Sequence, residues 1–76
     1  MKINKEKLLI FIQEYSGSNE IDYDTELFDS GYIDSIGLLS IINYLEDEYN
    51  VQIETQDIKS SNFGTITQIA DFLKNG

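Results

Sequence analysis

Asp34 and Ser35 are the neighbouring side chains whose types and placement say most about chemistry in this chain. An aspartate just before an apolar periodic run is a good helix N-cap, so Ser35 should open a helix with its hydroxyl exposed. Free amides and the positive end of the helix dipole stabilise an anion at such a position. A phosphodiester on the Ser35 oxygen would therefore sit in a favourable field. Asp-Ser ahead of an apolar run is also ordinary helix-start chemistry, and by itself it assigns nothing.

Other reactive constellations are missing or fail. The chain has no histidine and no cysteine, which removes Ser-His and Cys-His couples and thiolate nucleophiles. It also removes the disulfide and zinc supports that small domains often use. The five lysines lie towards the two ends of the sequence. Carboxylate pairs could serve a glycosidase, but a chain this short offers little cleft in which to bury a sugar or raise an acid's pKa. Asp22, Asp24 and Glu26 have the one-three-five spacing of a calcium loop. The sixth position, however, is Leu27 where a glycine turn is needed, and the twelfth is Ile33 in place of a bidentate carboxylate. No catalytic residue and no metal site are expected.

The elements that must position Ser35 can be read from periodicity. Leu8, Phe11, Ile12 and Tyr15, widened by Ile3, Leu9 and Ile10, predict an amphipathic helix from Asn4 to about Tyr15, stopped by Ser16-Gly17-Ser18-Asn19. Residues 20–34 keep neither period and read as a long irregular loop with Leu27, Phe28, Tyr32 and Ile33 as apolar anchors. Loops of that length in compact domains are usually functional. Leu38, Ile41, Ile42, Leu45 and Tyr49, with Leu39 beside them, predict a second helix from about Ser35 to Tyr49. Val51-Gln52-Ile53 reads as an extended link, and Thr55 as the cap of a brief helical turn over Gln56 to Lys59. Ser60 to Gly64 should break the chain again. Thr65 and Gln68 fit a capping box before a last helix striped with Ile66, Ile69, Ala70 and Leu73. The fold class is all-α: a small four-helix bundle of three main helices and one short one, its stripes plain core.

With 76 residues, one domain over residues 1–76 is expected, burying only about 60% of its unfolded surface. No apolar run approaches the roughly 20 residues needed to span a bilayer, and the charged amphipathic start does not resemble a signal peptide. A cytoplasmic location is expected. Fourteen acids against five lysines give a formal charge of -9, which opposes binding to nucleic acid and to anionic lipid. No cation falls between Lys7 and Lys59, whereas twelve of the acids do. Such a field attracts basic partner surfaces and speeds encounter, although it also serves plain solubility.

The stretch Gly31-Tyr32-Ile33-Asp34-Ser35-Ile36 resembles the phosphopantetheine attachment motif of acyl and peptidyl carrier proteins. The order of elements over residues 4–74 is similar to that family's as well, and Leu45 to Ile53 looks like the end of its second helix with the anchor that follows. The resemblance implies a fold of acyl-carrier-protein type and a non-catalytic role as a monomer. It implies that Ser35 carries a covalent phosphopantetheine arm, and that Asp34, Ile36 and the acidic Glu46, Asp47 and Glu48 are read by partners. The partners implied are a phosphopantetheinyl transferase, an acyl- or aminoacyl-loading ligase or adenylation enzyme, and a downstream acyltransferase or synthase. Carriers of fatty acid synthesis usually have acids early in the second helix, where this chain has Gly37 and Ser40. The likeness is therefore nearer to free-standing carriers of nonribosomal peptide, polyketide or aminoacyl-transfer pathways, with carriers that load D-alanine for cell-wall modification sharing the layout. A different class of function, an acidic decoy for a basic surface, would use the same charge without needing Ser35.

Overall fold

The computed structural model describes residues 2–75. Helix α1 runs Lys5–Ser16, α2 Ser35–Tyr49, α3 Ser60–Phe63 and α4 Ile66–Asn75, with a 3-10 turn at Thr55–Asp57 before α3. No strand occurs among the described residues. The architecture is a small all-helical bundle, as apolar periodicity predicts, with its elements in the order that the resemblance implies.

Helix boundaries follow local chemistry. The Asn4 side chain accepts the Lys7 amide at 3.0 Å and so caps α1 from outside instead of forming its first turn. Gly17, in the left-handed region at φ 75°, closes α1 by returning its amide to the Gln13 carbonyl at 2.9 Å. Asp34 caps α2 as expected, and Asn50 ends it in a left-handed conformation. At α4, Thr65 Oγ1 accepts the Gln68 amide at 3.1 Å, which is one half of the expected capping box.

The segment after α2 departs from expectation. The turn after Ile53 covers Thr55–Asp57, is capped by Glu54 and not by Thr55, and does not reach Lys59. The stretch from Ser60, expected to break the chain, forms α3 instead. One local bond and one tertiary contact outweigh its poor intrinsic helix propensity. Asn62 donates its side-chain amide to the Asp57 carbonyl at 2.8 Å, and Phe63 is buried to 1% exposure against α4, its ring tilted on Phe72 at 5.5 Å.

One core joins everything. Leu8 and Ile12 of α1, Ile41, Ile42 and Leu45 of α2, Phe63, and Ile66, Ile69 and Leu73 of α4 pack with Ile21, Leu27 and Ile33 of the long loop. Three residues of that loop are thus as buried as the helical stripes. The loop is further tied by the Leu27 amide to the Gly64 carbonyl at 2.9 Å and by the Thr67 amide to the Tyr23 carbonyl at 3.0 Å. Helices α1 and α2 run antiparallel: Lys7 pairs with Glu48 at one end, while Tyr15 meets Gly37 at the other. Phe11 and Tyr44 stack between them, with centroids 4.2 Å apart.

Candidate functional site

The end of the long loop determines how Ser35 is presented. Gly31, at φ 85°, turns the chain, its amide reaching the Phe28 carbonyl at 3.1 Å. Ile33 then plugs into the core at 3% exposure while its amide bonds the Leu27 carbonyl at 3.0 Å. With Ile33 fixed, Asp34 and Ser35 emerge at the surface, both exposed. The Asp34 carboxylate accepts the Gly37 amide at 2.8 Å, and the Asp34 carbonyl accepts the Leu38 amide at 2.9 Å.

That capping leaves two donors free. Of the amides that open α2, those of Ser35 and Ile36 make no hydrogen bond among the described residues. They flank the Ser35 hydroxyl at the positive end of a helix of 15 residues. The chemistry of this set, an exposed alkoxy oxygen beside unengaged N–H donors, fits a phosphodiester.

Gly37 is essential to this arrangement because α2 starts in close contact with its surroundings. A Cβ there would come within 2.8 Å of Ile33 Cγ2 and 2.9 Å of Tyr15 Cε1. The site is thus built by three elements: the loop through Ile33, α2 through Gly37, and the end of α1 through Tyr15.

The other residues singled out in the sequence divide sharply. Ile36 adjoins Ser35 and is 69% exposed. Glu46, Asp47 and Glu48 lie far from Ser35; Asp47 is 12 residues further along α2, about 18 Å at 1.5 Å per residue. Glu46 is half-buried and accepts the Ile53 amide at 2.9 Å, holding the chain after α2. Glu48 pairs with Lys7, whose ammonium pKa is raised chiefly by that hydrogen bond. Only Asp47 of the three is exposed without a bond to another described residue, and it shares a face of α2 with Ile36. Two residues grouped by sequence with the core, Tyr15 and Leu39, are instead 44% and 60% exposed at the Ser35 end. For Leu39 the signal was present: it stands off the stripe of Leu38, Ile41, Ile42 and Leu45 on a helical wheel.

Of the acids in the loop, Asp22 has a structural role. Asp22 accepts the Asp24 amide and the Thr25 hydroxyl, each at 2.9 Å, and these bonds hold its carboxyl below the ordinary carboxylate value, the Asp24 amide contributing most. No group of three acids among the described residues is close enough to hold a metal ion, and no described helix is long and apolar enough to cross a membrane. An apolar recess of about 240 Å³ opens between loop, α2 and α3, walled by Phe28, Leu38, Ile58 and Phe63 with Lys59 and Ser60 at its rim.

The site is thus an exposed serine at the start of a helix, fed by a long anchored loop and next to the capping carboxylate of Asp34. Residues 6–73 match the phosphopantetheine attachment site family, and the chain belongs to it. Members of this family carry phosphopantetheine covalently. At the level of individual relatives, the chain is 33% identical over 46 residues to D-alanyl carrier proteins of Streptococcus pyogenes serotypes M5, M49 and M1. The aligned stretch makes up 60% of this chain and 58% of each relative's length. Among solved structures, a chain from a crystal structure of an FAD-dependent dehydrogenase superposes with a TM-score of 0.80 at 20% identity, covering 88% of this chain and 99% of that one. At that identity the likeness concerns the fold alone.

Proposed function

We propose that residues 1–76 act as a single carrier domain whose Ser35 oxygen bears the phosphopantetheine arm. The observation that carries this reading is the exposed Ser35 hydroxyl beside the two unengaged amides of α2, within a chain of the attachment-site family. Attachment by a phosphopantetheinyl transferase forms a bond from Ser35 Oγ to the phosphorus of the donor, coenzyme A. The bond to the adenosine bisphosphate leaving group breaks, and the hydroxyl proton passes to a base on the enzyme. The polypeptide's part is to hold Ser35 at the surface through Asp34 and Ile33 and to stabilise the resulting phosphodiester with the Ser35 and Ile36 amides and the helix dipole. When bound, the arm supplies the thiol that the sequence lacks and holds an acyl or aminoacyl cargo as a thioester.

Pathway follows from finer features. Gly37 and Ser40 in place of early acids in α2 favour a free-standing carrier of a specialised aminoacyl-transfer, peptide or polyketide pathway over fatty acid synthesis. The likeness to D-alanyl carrier proteins supports an aminoacyl cargo in particular, D-alanine being one candidate. A loading ligase that activates the cargo acid and a downstream acyltransferase or synthase, all acting in the cytoplasm, complete this reading.

Intact-mass measurement after coexpression with a broad-specificity phosphopantetheinyl transferase tests it. The protein should gain one arm, and Ser35→Ala should gain none. Absence of any gain with several transferases would return the chain to the class of acidic interaction proteins, while a gain retained in Ser35→Ala would move the attachment elsewhere. Weighing the protein isolated from its native cells would then identify the cargo.

A further inference from the structure

Lys59 is the one cation between Lys7 and Lys74 in a chain whose middle is otherwise anionic. Its backbone is fixed as the N-cap of α3, the carbonyl accepting the Asn62 and Phe63 amides at 2.9 and 3.0 Å. Its side chain is exposed and makes no hydrogen bond or ion pair with another described residue. It stands at the rim of the apolar recess whose wall includes Leu38. Leu38 is three residues, about 4.5 Å, along α2 from Ser35, and a recess of about 240 Å³ spans only a few ångström more. A pantetheine arm has about as many backbone bonds as five residues of peptide, so its thiol reaches roughly 16 Å from Ser35. The other amines are placed differently. Lys7 holds Glu48, which lies about 20 Å along α2 from Ser35. Lys2 and Lys5 are at that same end, where Lys5 also bonds the Thr67 hydroxyl at 3.2 Å. Lys74 is in the last turn of α4 and does not line the recess.

We propose that Lys59 is a modification site, its amine taking the acyl cargo from the thioester of the arm on the same molecule. This inference rests on the reading of Ser35 as the attachment point. In the step, neutral Lys59 Nζ attacks the thioester carbonyl carbon. The N–C bond forms, the C–S bond breaks with its electron pair leaving on sulfur, and the proton lost from nitrogen ends on the thiol. The cargo becomes an amide on Lys59, and the arm regains its free thiol. Tethering supplies the rate, because a thioester confined to within an arm's length of the amine has an effective concentration in the millimolar range. No carboxylate among the described residues holds this amine in an ion pair. Cargo that no downstream enzyme collects is thereby moved from the arm to the polypeptide.

The experiment loads the full chain with an acetylated arm, using acetyl-coenzyme A and a broad-specificity transferase, removes the transferase and holds the product at mildly alkaline pH. Hydroxylamine then strips thioesters and leaves amides, so intact mass reads the acetyl groups that have moved to nitrogen. Resistant acetyl should accumulate in the wild-type chain, at a rate unchanged by tenfold dilution of the protein, and peptide mapping should place it on Lys59. Lys59→Arg, an exposed change that keeps the charge, should gain the arm as wild type does and form about tenfold less resistant acetyl. Ser35→Ala mixed with micromolar acetyl-coenzyme A should form about a hundredfold less, since its thioester is not tethered. Complete release of acetyl by hydroxylamine would overturn the proposal while leaving Ser35 as the attachment point. Resistant acetyl on Lys74 or spread evenly over the lysines, an undiminished yield in Lys59→Arg, or a rate that falls on dilution would overturn it equally. If the wild-type chain gains no arm at all, the reading of Ser35 fails and this inference fails with it.

Discussion

At the scale of single residues, the site depends on a hydrogen atom. Gly37 lacks the Cβ that would press on Ile33 Cγ2 at 2.8 Å and on Tyr15 Cε1 at 2.9 Å. Tyr15 is half-exposed and can turn aside, but Ile33 is locked in the core at 3% exposure, so the strain falls there. Replacing glycine by alanine inside a helix ordinarily gains about 0.5–1 kcal/mol, whereas overpacking a filled site costs about 1–3 kcal/mol. The second effect should win: Gly37→Ala is expected to lower stability by about 1 kcal/mol in urea unfolding. It should also slow arm attachment, since Ile33 sets where Ser35 emerges. A variant more stable than wild type would show that the start of α2 is less tightly packed than the structure indicates.

At the scale of elements, the long loop belongs to the core as much as any helix does. Leu27 is fully buried, its amide bonds the Gly64 carbonyl, and its carbonyl receives the Ile33 amide. It links α3, α4 and the site in one residue. Leu27→Ala removes apolar contact and leaves a cavity, a change worth about 2–5 kcal/mol. Small domains have roughly 5–15 kcal/mol in total, so this variant should melt far below wild type and be partly unfolded at physiological temperature, as read by circular dichroism. A loop serving only as a tether would tolerate the change with little shift in Tm. The same reasoning explains α3. Serine and asparagine are poor helix formers, but burial of Phe63 and the bond from Asn62 to the Asp57 carbonyl supply what propensity lacks.

At the scale of the whole molecule, net charge works against the folded state. The formal charge is -9, and among the described residues the one ion pair joins Lys7 to Glu48 at the surface. Exposed pairs contribute little to stability, whereas a chain so far from neutrality repels itself throughout. Salt screens both, with a Debye length of about 8 Å at physiological ionic strength. Tm should therefore rise as monovalent salt is added, measured by calorimetry, and a fall would mean that the Lys7 to Glu48 clasp outweighs the repulsion. Partner encounter should respond in the opposite sense, because screening weakens steering by the same acids.

Much of this was legible in the amino-acid order. Apolar spacing located α1, α2 and α4, and Asp34 before an apolar run marked the start of α2 to the residue, because capping and amphipathicity are local effects that repeat wherever the pattern does. The match of Gly31 to Ile36 with a known attachment motif pointed to Ser35 and its arm. Folding alone decided what depends on residues distant in sequence. Burial of Phe63 in the common core and against Phe72 made a helix of a stretch that reads as a break. Glu46 and Glu48 were drawn into bonds with Ile53 and Lys7, leaving Asp47 as the one of the three whose carboxylate bonds no other described residue. Tyr15, which has the spacing of a core residue, stays half-exposed because α2 begins with a glycine against its ring edge and covers only one side of it. Periodicity reports which face of a helix is apolar, but only packing determines how much of that face another element comes to cover.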